Sequence, residues 1–322
     1  MPGAARIYAK HAAVLLAAGL LLPFGVLQSR AQDKIKRPRI TGIDHVRLYV
    51  TDIDKSREFY SKLMGVRQGG GMCLCFEDSD RCFAAGWGRN QSIELEETPP
   101  NGARNWLAEI AFATDNLEQL HSYLVAHGVN VTKIAKRLNP YDKKPLYAHF
   151  EVRDPEGTPI SFIQRFVYPI DDFPPNILLY VRMIHAGFVV KDMAAENRFY
   201  VDLLGFKLYW HGGFKDDGLD WYEIQVPDGD NWIEYMLNIP ANADHKELGV
   251  QNHFSLGVKD IHAAADQLHK NGLLKFDGPE IGRDGKWGLD AYDPDGTRVE
   301  VMEFTPAKTP CCHPYTAPHP TP

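Results

Sequence analysis

The chain repeats itself, and that repeat limits the folds open to it more than any other feature. Ile43-Asp44-His45-Val46-Arg47-Leu48 is matched by Met183-Ile184-His185-Ala186-Gly187-Phe188. Each copy continues with an Asp (Asp52, Asp192), then Phe-Tyr (Phe59-Tyr60, Phe199-Tyr200), then Leu and Gly (Leu63 and Gly65, Leu203 and Gly205), all 140 positions apart. The offset persists to Glu94 and Glu234. Self-similarity at a fixed interval marks a duplicated structural unit. Two domains are expected, about 41–168 and 181–305, with a linker containing Asp171-Asp172-Phe173-Pro174-Pro175. Each is long enough to bury its own core.

Each half is itself double. Ala108 to Asp115 opens a second unit in the first half, and His253 to Asp260 opens one in the second. Both then run through a helical segment to a Gly (Gly128, Gly272) and close with a turn and a strand. The turns are Asp154-Pro155-Glu156-Gly157, before Ile160-Ser161-Phe162, and Asp293-Pro294-Asp295-Gly296, before Val299-Glu300-Val301. Pro presets one turn dihedral and Gly accepts a positive one, so both quartets specify tight turns. The common unit is a strand, an amphipathic helix and about three further strands. Four such βαβββ modules make an α+β chain with two cupped-sheet domains.

Four residues of the second half sit in short apolar runs that read as strands: His185, Glu234, His253 and Glu300. A histidine or carboxylate in a half-buried strand is costly unless it is paired or bound to a cation. Residues i and i+2 of a strand share a face. Glu300 therefore faces away from Val299 and Val301, towards the hollow of the sheet, and His185 between Ile184 and Ala186 does the same. Singly, such a histidine is commonly a satisfied core residue and such a glutamate commonly faces solvent. Together, at the interval of the repeat, two imidazoles and two carboxylates suit one divalent ion: Ni, Zn, Mn or Fe(II). In the first half His45 and Glu94 match two of these positions, while Ala108 and Ser161 stand at the other two, so that half is expected to be a degenerate partner.

The first 31 residues read as a secretory signal peptide: Arg6 and Lys10, an apolar run from Ala12 to Leu27, then Ser29-Arg30-Ala31 before Gln32. The run falls short of the roughly 20 apolar residues of a spanning helix. A cleaved periplasmic or secreted chain with no stable membrane insertion is expected. Cleavage removes three basic residues and no acidic one, taking the net charge from −7 to −10. That balance argues against nucleic acid as partner, since phosphate binding needs a basic face. Of the five cysteines, Cys73, Cys75 and Cys82 flank what looks like a hairpin loop, where a disulfide or three buried thiols are both open. Cys311 and Cys312, with His313 and His319 nearby, lie in a Pro-rich segment, 306–322, expected to be a disordered tail.

Several other residues have ordinary readings. Arg283, Lys286 and Trp287 read as a solvated loop, and His211 and Asp244-His245-Lys246 as surface. Tyr209, Trp210, Trp221 and Tyr222 either wall a pocket or pack a sheet edge.

The His45 and His185 strands, the Phe-Tyr helices and the Asp-Pro-x-Gly turns together resemble the vicinal oxygen chelate superfamily. It includes glyoxalase I, extradiol ring-cleaving dioxygenases, methylmalonyl-CoA epimerase and antibiotic-resistance proteins. The resemblance spans nearly all of residues 41–305 and implies the vicinal oxygen chelate fold, with modules paired around a metal. The second half looks most like glyoxalase I, whose four ligands fall on His185, Glu234, His253 and Glu300, with a glutathione-contacting Asn at Asn238. It implies a lyase or isomerase in which Glu300 and Glu234 move a proton on a small substrate with vicinal oxygens. Val189 stands where that family has a glutathione-binding Arg, which points away from glutathione. The extradiol dioxygenases are the second comparison, with an Fe(II) triad at His185, His253 and Glu300. Their active-site Tyr falls on Asp290, no His occurs from Lys275 through Val299, and Glu234 would fill a position dioxygen and substrate need. The third reading is a non-catalytic small-molecule binder. With four modules in one chain, a monomer or homodimer is expected.

Overall fold

The computed structural model describes residues 36–66, 82–87, 91–97, 99–139, 141–166, 179–180 and 182–322. The expected signal peptide, the interdomain linker and the loop with Cys73 and Cys75 lie outside the described residues. Among the described residues, no helix is long and apolar enough to cross a membrane.

In the first half, β1 (Ile40–Val50) leads into α1 (Ile53–Glu58), which widens into a π-helical turn (Phe59–Leu63). β2 (Cys82–Trp87), β3 (Gln91–Glu97), β4 (Leu107–Thr114), α2 (Leu117–Ala126), β5 (Ala135–Leu138), β6 (Pro145–Arg153) and β7 (Pro159–Arg165) follow. The second half runs β8 (Arg182–Val189), α3 (Met193–Asn197) with its own π-helical turn (Arg198–Leu203), β9 (Lys207–Gly212), β10 (Trp221–Gln225) and β11 (Trp232–Met236). It ends with α4 (His245–Gln251), β12 (His253–Val258), α5 (Ile261–Asn271), β13 (Asp277–Ile281), β14 (Trp287–Tyr292) and β15 (Arg298–Glu303). This is the expected α+β architecture of tandem modules.

The same local chemistry starts each module's helix. The residue closing the strand-to-helix step, Asp52, Asn116, Asp192 or Asp260, accepts a bond from the backbone N–H three residues on. That satisfies a donor the first helical turn leaves open. The strands assemble into a seven-stranded sheet, β2-β3-β1-β4-β7-β6-β5, and an eight-stranded one, β13-β14-β15-β12-β8-β11-β10-β9. In each sheet two modules meet at an antiparallel pair, β1 with β4 and β8 with β12. The last strand of each module runs parallel to its first: β3 with β1, β7 with β4, β11 with β8 and β15 with β12.

The repeat also joins the halves. Gln91 donates to the carbonyls of Ile43 and Met183 (2.9 and 3.0 Å), and its counterpart Asn231 accepts from Ile43 N–H (3.1 Å) and donates to Met183 C=O (2.9 Å). Tyr60 O–H donates to Asp293 (3.0 Å), and Tyr200 O–H to Asp154 (3.3 Å). The Phe-Tyr motif of each half thus meets the Asp-Pro-x-Gly turn of the other. A single buried apolar cluster, containing Phe112, Phe162, Tyr200, Phe206 and Phe254, draws on both halves.

The segment after β15 departs from expectation. It forms no helix or strand, yet it packs along the second sheet rather than hanging free. Thr316 N–H donates to Tyr209 C=O (2.9 Å), Tyr209 O–H bonds His319 (2.9 Å) and Trp210 Nε1 donates to His313 C=O (3.0 Å). Its Tyr315 ring lies 4.8 Å from that of Tyr209. Pro-rich composition signalled disorder, but the aromatic and hydrogen-bonding side chains between the prolines give the segment enough contact to settle. Cys311 and Cys312 are joined by a disulfide, which leaves no thiolate there to ligate a metal.

Candidate metal centre

The register of the second sheet puts the four sequence-selected residues on two adjacent rows. His185 lies opposite Ser255, and Ser255 opposite Glu300. Two residues along β8, Gly187 lies opposite both Glu234 and His253. His185 and Gly187 share a face of β8, so all four side chains enter the same hollow. His185 Nε2 is 3.1 Å from His253 Nε2, 3.1 Å from Glu300 Oε2 and 3.9 Å from Glu234 Oε2. His253 Nε2 is 3.3 Å from Glu234 Oε2 and 4.0 Å from Glu300 Oε2. His185, His253 and Glu300 form a trio whose donor atoms all lie within 4.8 Å of one another.

This donor set fits a divalent ion. Two ligand atoms bound at about 2.1 Å to a common ion lie at most about 4.2 Å apart, and the five separations that involve an imidazole fall inside that limit, while the group whose donors all meet one another is His185, His253 and Glu300. His253 Nδ1 is 2.9 Å from Gln251 C=O. A proton on Nδ1 satisfies that carbonyl and leaves Nε2 its lone pair, the tautomer a ligating imidazole usually takes, with Arg298 Nη2 also within 3.0 Å of Nε2. Burial lowers the His185 pKa to about 3, with Lys286 and Arg298 adding to it against Glu234. Burial, then Arg298 and His185, lowers that of His253 well below the ordinary value. Both rings are therefore neutral, as metal ligation requires. Burial raises the pKa of Glu234. A bound cation would favour its ionised form.

The family model of the Glyoxalase/Bleomycin resistance protein/Dioxygenase superfamily matches residues 42–162 and 182–301. The chain belongs to this superfamily. None of the curated proteins compared with it matches. Among solved structures, homoprotocatechuate 2,3-dioxygenase from Arthrobacter globiformis is similar at a TM-score of 0.60 and 18% identity, covering 84% of this chain and 82% of that one. A substituted form of the Brevibacterium fuscum enzyme in complex with HPCA is similar at 0.62 and 19%, covering 86% and 74%. The anaerobic complex of the Brevibacterium fuscum enzyme with 3,4-dihydroxyphenylacetate is similar at 0.59 and 18%, covering 86% and 84%. At such identities the likeness is one of fold.

For a member of this superfamily, several residues around the centre were invisible to pattern reading. Arg298 Nη2 lies 3.0 Å from both ring nitrogens of His253, and Nη1 lies 3.4 Å from Asp290. Glu223, opposite Glu234 on β10, is buried, and burial reinforced by Glu234 and Asp284 raises its pKa well above normal. Lys286 is not the solvated residue its sequence context suggested. Its ammonium is fully buried, 4.3 Å from the Trp232 ring centroid, 4.9 Å from that of Tyr209 and 5.0 Å from that of Tyr315, and 3.5 Å from Asp284. Distant aromatic residues and the C-terminal segment build this cage, so no local signal marks it.

Other candidates serve structure. Arg283 binds Gly213 C=O and Asp216 at the surface, and Trp287 packs on His262. His211 lies within β9 and stacks on His313 (3.7 Å). Asp244 caps α4 with Glu247. His245 is half-buried rather than exposed, stacked on Trp106 (3.8 Å) and bonded to Asp295 C=O. Tyr209 and Trp210 are buried with Trp232 in a second apolar cluster, against which Trp221 packs; Tyr222 stacks on Tyr235. Asn238 takes a positive φ and bonds Leu219 C=O and Asp220, holding a turn.

In the first sheet His45 and Glu94 are brought together, with Nε2 to Oε2 at 3.7 Å. Ser161 stands at the Glu300 position, as expected. The His253 position is held by Glu109 rather than Ala108: Arg47 pairs with Glu109 as Gly187 pairs with His253. The repeat alone points one residue short, to Ala108, because the run Leu107-Ala108-Glu109-Ile110 has no histidine to mark the position.

Proposed function

We propose that this superfamily member is a metal-dependent lyase or isomerase that moves a proton on a small substrate with oxygens on adjacent carbons. The observation that supports it is the approach of Glu234 to the imidazoles of His185 and His253 (3.9 and 3.3 Å), which offers a fourth donor beside the trio they form with Glu300. A divalent Ni, Zn, Mn or Fe(II) ion held there would supply Lewis acidity, lowering the pKa of a C–H next to a chelating oxygen. His185 and His253 hold that ion through neutral imidazoles. Glu300, 19% exposed against 11% for Glu234, is the more open carboxylate and takes the substrate proton. Glu234, on the other side, is the ligand and second base. Such carboxylates are effective when held within hydrogen-bond reach of the proton they move. Trp232, 4.8 Å from the His185 ring, walls one side of the hollow against water.

Fe(II) extradiol dioxygenation is the second reading. The compact trio of His185, His253 and Glu300 favours it, as does the fold shared with homoprotocatechuate 2,3-dioxygenase. The intact donor set weighs against a purely non-catalytic binder. We further propose that the chain is exported and that the segment 1–31 is removed; N-terminal sequencing of the mature protein tests this.

The reaction classes separate in one pair of assays. Purified protein is incubated with 2-hydroxyketones and 2-oxoaldehyde adducts in deuterated water, and with catechols under an oxygen electrode. Deuterium entering the carbon next to the carbonyl, lost in Glu300→Gln, supports proton transfer. Oxygen uptake with catechols and no deuterium exchange replaces this reading with the dioxygenase.

A further inference from the structure

The two sheets share a register, so their hollows compare position by position. Arg47 pairs with Glu94 and Glu109 as Gly187 pairs with Glu234 and His253. His45 pairs with Ala111, and Ala111 with Ser161, as His185 pairs with Ser255 and Ser255 with Glu300. The first sheet thus presents His45, Glu94 and Glu109 at three of four donor positions, and they are 0, 1 and 3% exposed. Where the second sheet has a glycine, the first has a cation. The Arg47 guanidinium lies 3.3 Å from Glu94 and 2.9 Å from Glu109. Glu94 Oε1 and Glu109 Oε1 are buried with no hydrogen-bond partner among the described residues.

We propose that the N-terminal hollow is a second metal-binding site held closed by Arg47, whose guanidinium takes the place of a divalent ion between Glu94 and Glu109 and keeps them and His45 from closing on one. Two carboxylates and an imidazole buried together are unfavourable without a compensating positive charge. Arginine supplies it at every accessible pH, because its guanidinium does not deprotonate in proteins. Its fork also reaches both carboxylates from one side, leaving their remaining oxygens directed elsewhere. A set with two carboxylates and one imidazole is richer in oxygen than the second-sheet set and suits a harder ion such as Mn(II). Arg47 thus offsets part of the negative charge in the N-terminal hollow without metal, and the wild-type chain holds metal in the C-terminal hollow alone. Substituting Arg47 by a residue without charge or bulk opens the site.

The test uses full-length chain with the C-terminal donors removed by His253→Ala and Glu300→Ala, so its result does not depend on what that hollow binds. Mn(II) content by elemental mass spectrometry and melting temperature with and without Mn(II) are compared with and without Arg47→Gly. The background should bind no stoichiometric Mn(II). Adding Arg47→Gly should bring binding close to one ion per chain and a melting temperature that rises with Mn(II), and a further Glu94→Gln should abolish both. Folded Arg47→Gly protein that gains no Mn(II) overturns the proposal, as does Mn(II) bound by the background and lost with Glu94→Gln. If Arg47→Gly does not fold without metal, refolding with Mn(II) decides. Rescue that Glu94→Gln blocks supports the proposal, and failure of rescue overturns it.

Discussion

The imidazole of His253 lies directly over Gly187. A Cβ at position 187 would come within 2.6 Å of His253 Nδ1 and 2.9 Å of Nε2, closer than any side chain tolerates. The glycine is thus the floor on which one proposed ligand rests. Gly187→Ala should leave the fold intact but tilt the ring away, lowering metal affinity by about 10–100-fold, the usual effect of disturbing a ligand's support. Metal titration against a competing chelator checks this, and an unchanged affinity would show that the ring position does not matter.

The cross-link from Tyr60 to Asp293 should be worth measuring in its own right. The buried hydroxyl bonds a carboxyl whose pKa burial raises to about 6 while Thr297 N–H and Tyr60 pull it down. Tyr60→Phe should cost about 1–3 kcal/mol in denaturant unfolding and raise the Asp293 pKa further. Tyr200→Phe, breaking the longer bond to Asp154 (3.3 Å), should cost less. Equal stability of Tyr60→Phe and wild type would remove this bond from the account of how the halves hold together.

Much of this could be read in advance, and the failures have physical causes. The 140-residue offset gave the duplication, and strand alternation about Glu300 and His185 gave the face they occupy. Those signals are local and periodic. Lys286 could not be placed, because its cage is made by residues from β9, β11 and the C-terminal segment. Glu109 was missed because a glutamate in an apolar run was aligned by its neighbours rather than by its partner Arg47. The aromatic anchors of the C-terminal segment were hidden by a composition typical of disorder.

Glu196 makes stability depend on pH. It is buried on α3, and burial, then the Asp154 charge, raises its pKa to about 8. The folded state therefore holds a proton that the unfolded state releases near the ordinary glutamate value. Its contribution is fully present below about pH 4.5 and is lost as pH rises towards 8, at about 1.4 kcal/mol per tenfold change in proton equilibrium. Glu196→Gln should flatten the fall in stability across that window. Unfolding free energies at a series of pH values read this directly, and an identical slope in the variant would rule out Glu196 as its source.

The C-terminal segment should behave as part of the domain. Tyr315→Ala removes one wall of the Lys286 cage and the bond from its hydroxyl to Asp284 (2.9 Å to the carbonyl). A loss of about 1–3 kcal/mol is expected, with metal content unchanged. A variant as stable as wild type would show that the segment contributes nothing.

The central claim is that His185, Glu234, His253 and Glu300 hold one catalytic ion. The most direct measurement is elemental mass spectrometry of the protein, as purified and after reconstitution with each of Ni, Zn, Mn and Fe(II), alongside Glu234→Ala and Glu300→Ala. The account predicts close to one divalent ion per chain, lost in both variants. Protein that takes up no metal under any of these conditions would contradict it, and Fe(II) retained by Glu234→Ala but lost by Glu300→Ala would move the assignment to the dioxygenase.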